Sequence, residues 1–479
     1  MKKPSSLSLS KGDFATMAKL DERICIIGGG PAGVTAAMYL EKKGYKNYVI
    51  YEKDDRVGGK CWSPKFPVDG DEKNKRTIEM GAIMGAKTYW AVNEAEIFGG
   101  TTHDGPEMAR IYKNNEGKEV FPFDLKKDFS FKKLFGLLKL KKSVKRLAKL
   151  METKYAGYDV NGHRGVADGK YEGLSKLSEN HMQHVEGTNP NLKDLALPFT
   201  EFCKLNKIEP VMRIWIAPFT SFGYGFFDEV PAAYVMKYLD VATTLEFVNM
   251  RLWTWKDGTQ AIWEGVNNHL LHKANLNSEV TKVVRKGGKV TVTVNGKEEV
   301  FDKLIVTIPL DWFTKIADAR KEEKDLFGKI IHEKYISMAN WIEKGKCPHI
   351  SAYFFDNMVP SRRGHMMVYY HRWCDVKDQL IITYTLRNHQ GDKDVSYDYA
   401  RKTTLDDMAL CDCPVSKVEL EEESYYCPHL SPADYAAGWY DKVDAMQGKD
   451  NTYYAGEVMA FGDMEETCEA SRDLIGRFF

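Results

Sequence analysis

The chain has 479 residues, 43% of them hydrophobic, and its 68 Lys+Arg are matched by 68 Asp+Glu. At about 150 residues per domain, that length allows two to three domains and a large core. A formal charge of zero argues against a nucleic-acid binder, which normally carries a basic excess. Taken in chain order, residues 1–20 read as a polar tail without the apolar core of a secretory signal, which places the chain in the cytoplasm. The first clear unit runs from Arg23 to Glu52. "RICII" is a short apolar strand, "GGGPAG" a turn, "VTAAMYLEKKG" a helix stopped by Gly44, and "NYVIYE" a strand ending on an acid. That order predicts a parallel sheet.

From about 125 to 200 the chain reads as helical and Lys-rich, and from 200 to 250 as helical with one interruption. The interruption, "APFTSFGYGFFDEVP" at Ala217–Pro231, packs five aromatics around two glycines and ends on a proline. Residues 278 to 308 alternate apolar and polar positions around GG and NG turns, as a β-meander does. "MMVYYHRW" at Met366–Trp373 and "LIITYTLRN" at Leu380–Asn388 read as strands, and Asn451–Phe479 reads as strand, loop and helix. No apolar run reaches the length of a membrane span.

The turn after the first strand carries chemistry. Gly28, Gly30 and Gly33 lie between strand and helix, and Glu52 ends the next strand, which is the setting of a dinucleotide site. Gly28 permits the tight turn, Gly30 lets backbone approach a pyrophosphate, and Gly33 lets the helix pack close. The helix N-terminus offers free N–H groups and a positive dipole end to the phosphates. Glu52 suits ribose hydroxyls and repels a 2′-phosphate. The motif alone does not choose between FAD and NAD.

"DRVGGKCWS" at Asp55–Ser63 resembles the second glycine motif of the FAD-binding amine-oxidase-like flavoproteins, and "YYAGEVMAFG" at Tyr453–Gly462 resembles their closing motif. "EMGAIMG" at Glu79–Gly85, "TKYAGYDVNGH" at Thr153–His163, "LWTWKDGTQ" at Leu252–Gln260, "GHMMVYYHRW" at Gly364–Trp373 and "AGWYDKVDAMQGKDNTYYAGE" at Ala437–Glu457 narrow it further. They resemble the FAD-dependent polyenoic (linoleic) fatty acid isomerases, over nearly the whole chain from about residue 21.

The resemblance implies an α/β fold: a Rossmann-type FAD-binding domain (21–100, 250–310 and 440–479), a helical cap (125–249) and a mixed-sheet substrate domain (101–124 and 311–439). It implies FAD as cofactor and a site that adds Pro31, Ala32, Lys53, Gly58, Gly59 and Lys60 to the glycine turn. Gly81, Ala82, Ile83 and Val280 belong to the same implied site. Gly456 and Glu457 would meet the pyrophosphate or ribityl chain. The last helix, starting near Met464–Thr467, would aim its N-terminus at the flavin N1–C2=O edge, where reduced flavin carries negative charge. Asp463, Glu465 and Glu466 there suit a helix start and equally a solvated end.

The implied chemistry is an internal redox reaction on a free polyunsaturated fatty acid. Flavin N5 takes a hydride from the methylene between two double bonds and returns it elsewhere, leaving a conjugated diene. Catalysis is then carried by the cofactor, with no protein acid–base pair and no metal. A fatty acid needs an apolar tunnel and a cation. Each buried methylene contributes about 0.8 kcal/mol, and aromatic faces stabilise a desolvated cation. Phe219, Phe222 and Tyr224 are candidates for the wall, or else plain core. For the carboxylate the resemblance points to Arg110, with Phe247 as its aromatic partner at the mouth; otherwise they are a hairpin surface charge and a core residue.

His181 and His184 in "HMQH" have no evident third ligand and read as a helix surface. Arg372 and His371 read as paired structural residues, with Arg372 as reserve anchor. The nine scattered cysteines, with no CxxC pair, read as reduced thiols. In "GLLKLKKSVKRLAKL", Leu137, Leu140, Val144, Leu147 and Ala148 share one face and the cations the other. That helix, 137–149, either lies on an anionic membrane or turns its apolar face to the core. Two rivals remain beside the isomerase: a flavin oxidase or desaturase, and a non-catalytic flavin or lipid carrier. The oligomeric state is open.

Overall fold

The computed structural model describes residues 19–106, 109–155, 164–165, 183–184, 191–239, 241–249, 251–343, 351–373, 375–377, 380–389 and 395–479. A four-stranded parallel sheet lies at its centre, in the order Tyr48–Tyr51, Ile24–Ile27, Lys303–Val306, Thr452–Tyr454. Ile24 is opposite both Tyr48 and Lys303, and Leu304 is opposite Thr452. Ile24–Ile27 and Lys303–Val306 are buried along their whole length. That is why Ile24–Ile27 reads as a continuous apolar run and not as an alternating strand.

The helix Pro31–Lys42 follows the first strand. Pro31 at its first position sets φ and lacks an N–H the helix would leave unpaired anyway. Ala32, Ala36 and Ala37 leave it slim enough to be buried on nearly all sides. The last helix, Met464–Phe478, packs against it, and Ser471 Oγ donates to the Ala32 carbonyl at 3.0 Å.

The stretch read as a meander divides between two sheets. Val280–Lys286, Lys289–Val294 and Lys297–Phe301 form an antiparallel three-stranded sheet. Lys303–Val306 leaves it for the parallel sheet, because its four buried positions need cover on both faces.

A seven-stranded mixed sheet has the order Val415–His429, Ile331–Ile342, Leu380–His389, Met366–Tyr370, Ser351–Phe354, Arg110–Lys113, Glu119–Val120. Its single parallel pair joins Ser351–Phe354 to Arg110–Lys113. The long edge strand Val415–His429 carries Glu419, Glu421, Glu422 and Glu423, charges that discourage a further strand from pairing.

Helices Met212–Thr220, Ala232–Tyr238 and Val241–Val248 cover the region between the sheets. The Lys-rich segment is one helix, Phe131–Glu152, with Ser130 Oγ accepting from Lys133 N at 3.2 Å. Its apolar face turns to the core: Leu140 and Leu147 are buried, and Leu137, Val144 and Ala148 are half-buried. That face is therefore not the one a membrane would meet. Among the described residues, no helix is long and apolar enough to cross a membrane.

Six cysteines (25, 61, 203, 411, 427 and 468) are buried free thiols, but Cys413 is disulfide-bonded, which corrects the expectation of reduced thiols at that position. His181 lies outside the described residues. The backbone of His184 forms a short antiparallel strand with Arg164–Gly165, not a helix surface.

Candidate active site

The glycine turn shapes the site from its backbone. Gly28 has φ +108°, and a Cβ there would meet Thr307 Oγ1 at 2.5 Å. At Gly33 a Cβ would lie 1.9 Å from the Gly28 carbonyl oxygen, so only glycine lets the helix begin there. Gly30 differs: a Cβ would find nothing nearer than the Gly59 Cα at 3.8 Å. Gly30 and Gly59 lie side by side in backbone contact, a Cβ on Gly59 falling 3.3 Å from the Gly30 Cα, and together they give the cavity a wall bare of side chains, a cradle that fits a pyrophosphate. Glu52, at the end of the second strand, is buried and accepts from Gly29 N at 2.6 Å and Asp54 N at 2.9 Å.

A cavity of about 540 Å³ opens from this cradle. Gly28, Gly30, Pro31, Ala32, Glu52, Lys53, Gly59, Lys60, Gly81, Ala82, Ile83, Val280, Gly456, Glu457, Met464 and Thr467 line it. Gly33 and Gly58 are not on its wall. Gly33 stands behind the turn, and a Cβ at Gly58 would meet the Cys61 carbonyl oxygen at 2.9 Å. Lys60 and Glu457 meet in an ion pair at 2.5 Å, and Glu457 also accepts from Cys427 N at 3.1 Å. This joins two motifs almost four hundred positions apart.

Asp463, Met464 and Thr467 bring the start of the last helix to the wall. Asp463 caps that helix, accepting from Glu465 N at 2.8 Å and Glu466 N at 3.4 Å, and takes a hydrogen bond from the Tyr89 hydroxyl. Enclosure pushes the Asp463 carboxyl up to about 7 against those backbone donors, with Glu469 adding to the rise. The solvated reading of this acidic turn is corrected. Glu465 is buried and accepts from Ala91 N and Val92 N at 2.8 Å each, while Glu466 pairs with Lys237 at 2.7 Å. Sequence showed the acids but not the groups that receive them.

Part of the cavity wall is aromatic. Phe222, Tyr224 and Phe247 line it, as does Tyr238. Phe222 lies 6.2 Å from Phe247 between ring centroids, and Tyr224 4.5 Å from Tyr238. Phe219 does not line it. It is fully buried behind the wall, against Tyr224, Phe227 and Phe461. The aromatic stretch therefore answers as both core and wall. Gly223 (φ +83°) and Gly225 (φ +96°) turn the chain after Phe222, and a Cβ on Gly223 would strike the Tyr335 ring at 2.8 Å. Phe219→Ala is expected to cost about 3–5 kcal/mol of stability, as a lost buried ring does. Phe222→Ala is expected to keep flavin content and melting temperature while lowering turnover. Urea unfolding and the flavin-to-protein absorbance ratio separate the two.

Three tyrosines missed in the sequence complete this wall. Tyr335 stacks on Tyr384 at 5.4 Å and on Tyr426 at 5.2 Å. They sit on three adjacent strands of the seven-stranded sheet. The Tyr335 hydroxyl donates to the Ser221 carbonyl, and that of Tyr384 to the Glu79 carbonyl, so the stack is fixed at its rims.

Arg110 opens the strand Arg110–Lys113 at the rim of the sheet and does not line the cavity. Its guanidinium lies over the Tyr112 ring at 5.2 Å and also near Tyr353, whose phenol burial pushes up against the opposing pull of Arg110. Tyr353 in turn touches Phe222 at 6.5 Å. Arg372 is removed as reserve anchor: fully buried, it pairs with Glu79 at 3.1 Å and donates to the Trp255 carbonyl at 2.9 Å. His371 is buried beside it. Among the described residues, no three His, Cys, Asp or Glu side chains gather as metal ligands.

The profile of the flavin containing amine oxidoreductase family matches residues 31–318, more than half of the chain. The crystal structure of a CLA-producing fatty acid isomerase from P. acnes is similar at 43% identity and a TM-score of 0.84, over 96% of this chain and 99% of that one. A polyenoic fatty acid isomerase of Ptilota filicina is 24% identical over 217 residues, 45% of this chain and 40% of that relative, so the match spans less than two thirds of the relative's length. Cyclohexylamine oxidase from Brevibacterium oxydans shares the fold at 13% identity and a TM-score of 0.64, over 95% of this chain and 98% of that one. With its glycine cradle, its buried Glu52 and the last helix beginning on the cavity, the chain belongs to the flavin containing amine oxidoreductases, in the branch of the FAD-dependent fatty acid isomerases, and FAD is its cofactor.

Proposed function

We propose that this chain isomerises a free polyunsaturated fatty acid, of the linoleate kind, to a conjugated diene. The observation that carries the reading is the continuity of one cavity from the Gly30–Gly59 cradle to a wall of Phe222, Tyr224, Phe247, Tyr335, Tyr384 and Tyr426. Bound FAD supplies reversible two-electron chemistry at N5, which lets a substrate C–H bond be broken and another formed without an external acceptor. The protein's part is to bind, orient and keep water away. The aromatic faces hold the acyl chain and favour positive charge delocalised along it. Burial of each methylene adds about 0.8 kcal/mol to binding. Helix Met464–Phe478 turns its positive end to the same cavity.

Arg110 is the proposed carboxylate anchor, with Phe247 beside the path it guards. It is half-buried and has no acidic partner among the described residues. From it, Tyr112, Tyr353 and Phe222 form a continuous aromatic route to the cavity. Arg110→Ala is expected to raise KM for the fatty acid about tenfold or more while FAD stays bound, since a hydrogen bond to a charged group contributes about 1.5–3 kcal/mol. An unchanged KM would remove Arg110 from this role.

The activity itself is tested without oxygen. The yellow protein mixed anaerobically with linoleate is expected to develop the conjugated-diene absorbance while its flavin band persists. Lasting bleaching of the flavin would indicate an oxidase or desaturase. No change with linoleate or longer polyenoic acids would leave a carrier.

A further inference from the structure

Four large apolar side chains stand exposed together where the Arg110 hairpin leads into the Lys-rich helix: Phe129 (60% exposed), Phe131 (72%), Phe135 (62%) and Leu138 (55%). Phe129 and Phe131 touch only edge to face, at 5.6 Å. A group of exposed aromatics on one short segment marks a contact surface. At about 100° per residue, Phe131, Phe135 and Leu138 share the outer stripe of the helix with Lys142, Lys145, Arg146 and Lys149. The opposite face, Leu140, Ser143 and Leu147, is buried. The four cations are exposed and have no acidic partner among the described residues. Over about 27 Å of helix the stripe passes from aromatic to cationic.

We propose that this outer stripe, with Phe129, docks the protein on an anionic lipid bilayer. The stripe is convex and offers no socket for a folded partner's side chain. Its chemistry instead matches the two layers of a membrane surface: rings for the boundary of the acyl region, cations for the phosphates. This is the face opposite to the apolar one that the sequence suggested. It also lies next to the proposed entry. Ten residues separate Val120, at the end of the Arg110 hairpin, from Phe131, and within them Phe123 packs on Tyr112 at 5.8 Å, the ring under Arg110. Docking rests on this surface alone. Only the added role, delivering fatty acid from the bilayer to Arg110, rests on the proposed function.

The test is flotation of the full-length holoprotein, without substrate, with vesicles of phosphatidylcholine containing a third phosphatidylglycerol. Binding is expected at low salt and should weaken as salt is raised. Phe131→Ser/Phe135→Ser is expected to lower the partition coefficient about tenfold or more. Lys142→Gln/Lys145→Gln should lower it about fivefold per charge. Both variants should keep the parent's flavin absorbance and melting temperature, because the side chains concerned are exposed. Absence of binding to the anionic vesicles, or parent-like binding by both variants, would overturn the proposal. So would a dimer, seen by sedimentation, that Phe131→Ser/Phe135→Ser dissociates with no effect on flotation. A failed diene assay would leave each of these outcomes unaltered.

Discussion

A Gly33→Ala variant is expected to purify without FAD. The added methyl would sit 1.9 Å from the Gly28 carbonyl oxygen and 3.0 Å from its carbon, with Thr307 Oγ1 at 3.2 Å. Overpacking against side chains that can yield costs about 1–3 kcal/mol. Here the obstacle is backbone of the same turn, so relief requires the start of helix Pro31–Lys42 to move off the sheet. That helix start is what faces the phosphates. A loss of only 1.4 kcal/mol in cofactor binding is about tenfold, and this displacement exceeds that. Gly30→Ala is the informative partner. Its methyl would meet nothing closer than the Gly59 Cα at 3.8 Å. The apoprotein should melt like the parent, yet the methyl enters the cradle and flavin affinity should fall. A Gly30→Ala protein with full flavin would show that the pyrophosphate does not lie there. The flavin-to-protein absorbance ratio and the apoprotein melting temperature read both variants.

Loss of Arg372 is the second large effect. Arg372 and Glu79 are both fully buried, and the Glu79 carboxylate is also held by Ser63 Oγ and by Thr259 N at 3.2 Å. Arg372→Met removes the cation and leaves a charge in the core, which costs about 3–5 kcal/mol. Burial already pushes the Glu79 carboxyl up, against the pull of Arg372. Without Arg372 the rise is larger. A carboxyl whose folded pKa exceeds its unfolded value contributes stability that is complete below the unfolded pKa and is lost as pH rises through the folded one. The deficit of Arg372→Met should therefore grow with pH above the ordinary carboxylate range. The double variant Arg372→Met/Glu79→Gln should recover much of the loss. Urea midpoints at several pH values check this. A flat deficit, or one that shrinks with rising pH, would contradict it.

The glycine turn was legible because its function is local: strand, turn and helix follow one another, and Gly28, Gly30, Gly33 and Glu52 need no distant partner to be recognised. The resemblance carried Lys60 and Glu457, although only the structure brings them to an ion pair. The tyrosine stack was not legible. Tyr335, Tyr384 and Tyr426 meet only because Leu380–His389 and Val415–His429 flank Ile331–Ile342, an order that no strand's own sequence encodes. Phe219 and Phe222 are three positions apart and look alike. Their fates diverge because one ends a helix directed at the core and the other begins a turn. Asp463, Glu465 and Glu466 left two readings open. The helix start holds, with Asp463 as its cap, and the solvated end does not, because Ala91 and Val92 receive Glu465 and Lys237 receives Glu466 inside the protein.

The parallel sheet also sets an order of events during synthesis. Ile24–Ile27 emerges early with Tyr48–Tyr51, but its other neighbour is Lys303–Val306, and the next strand out is Thr452–Tyr454. Helix Met464–Phe478, which closes the cavity and packs on Pro31–Lys42, emerges later still. At roughly 5–20 residues per second, the first strand waits on the order of tens of seconds with one edge bare. Until that helix has emerged, the nascent chain has a phosphate cradle but no floor beneath it. Flavin capture therefore waits for the helix, and a chain stopped short of residue 464 would remain colourless however well its amino-terminal half had folded.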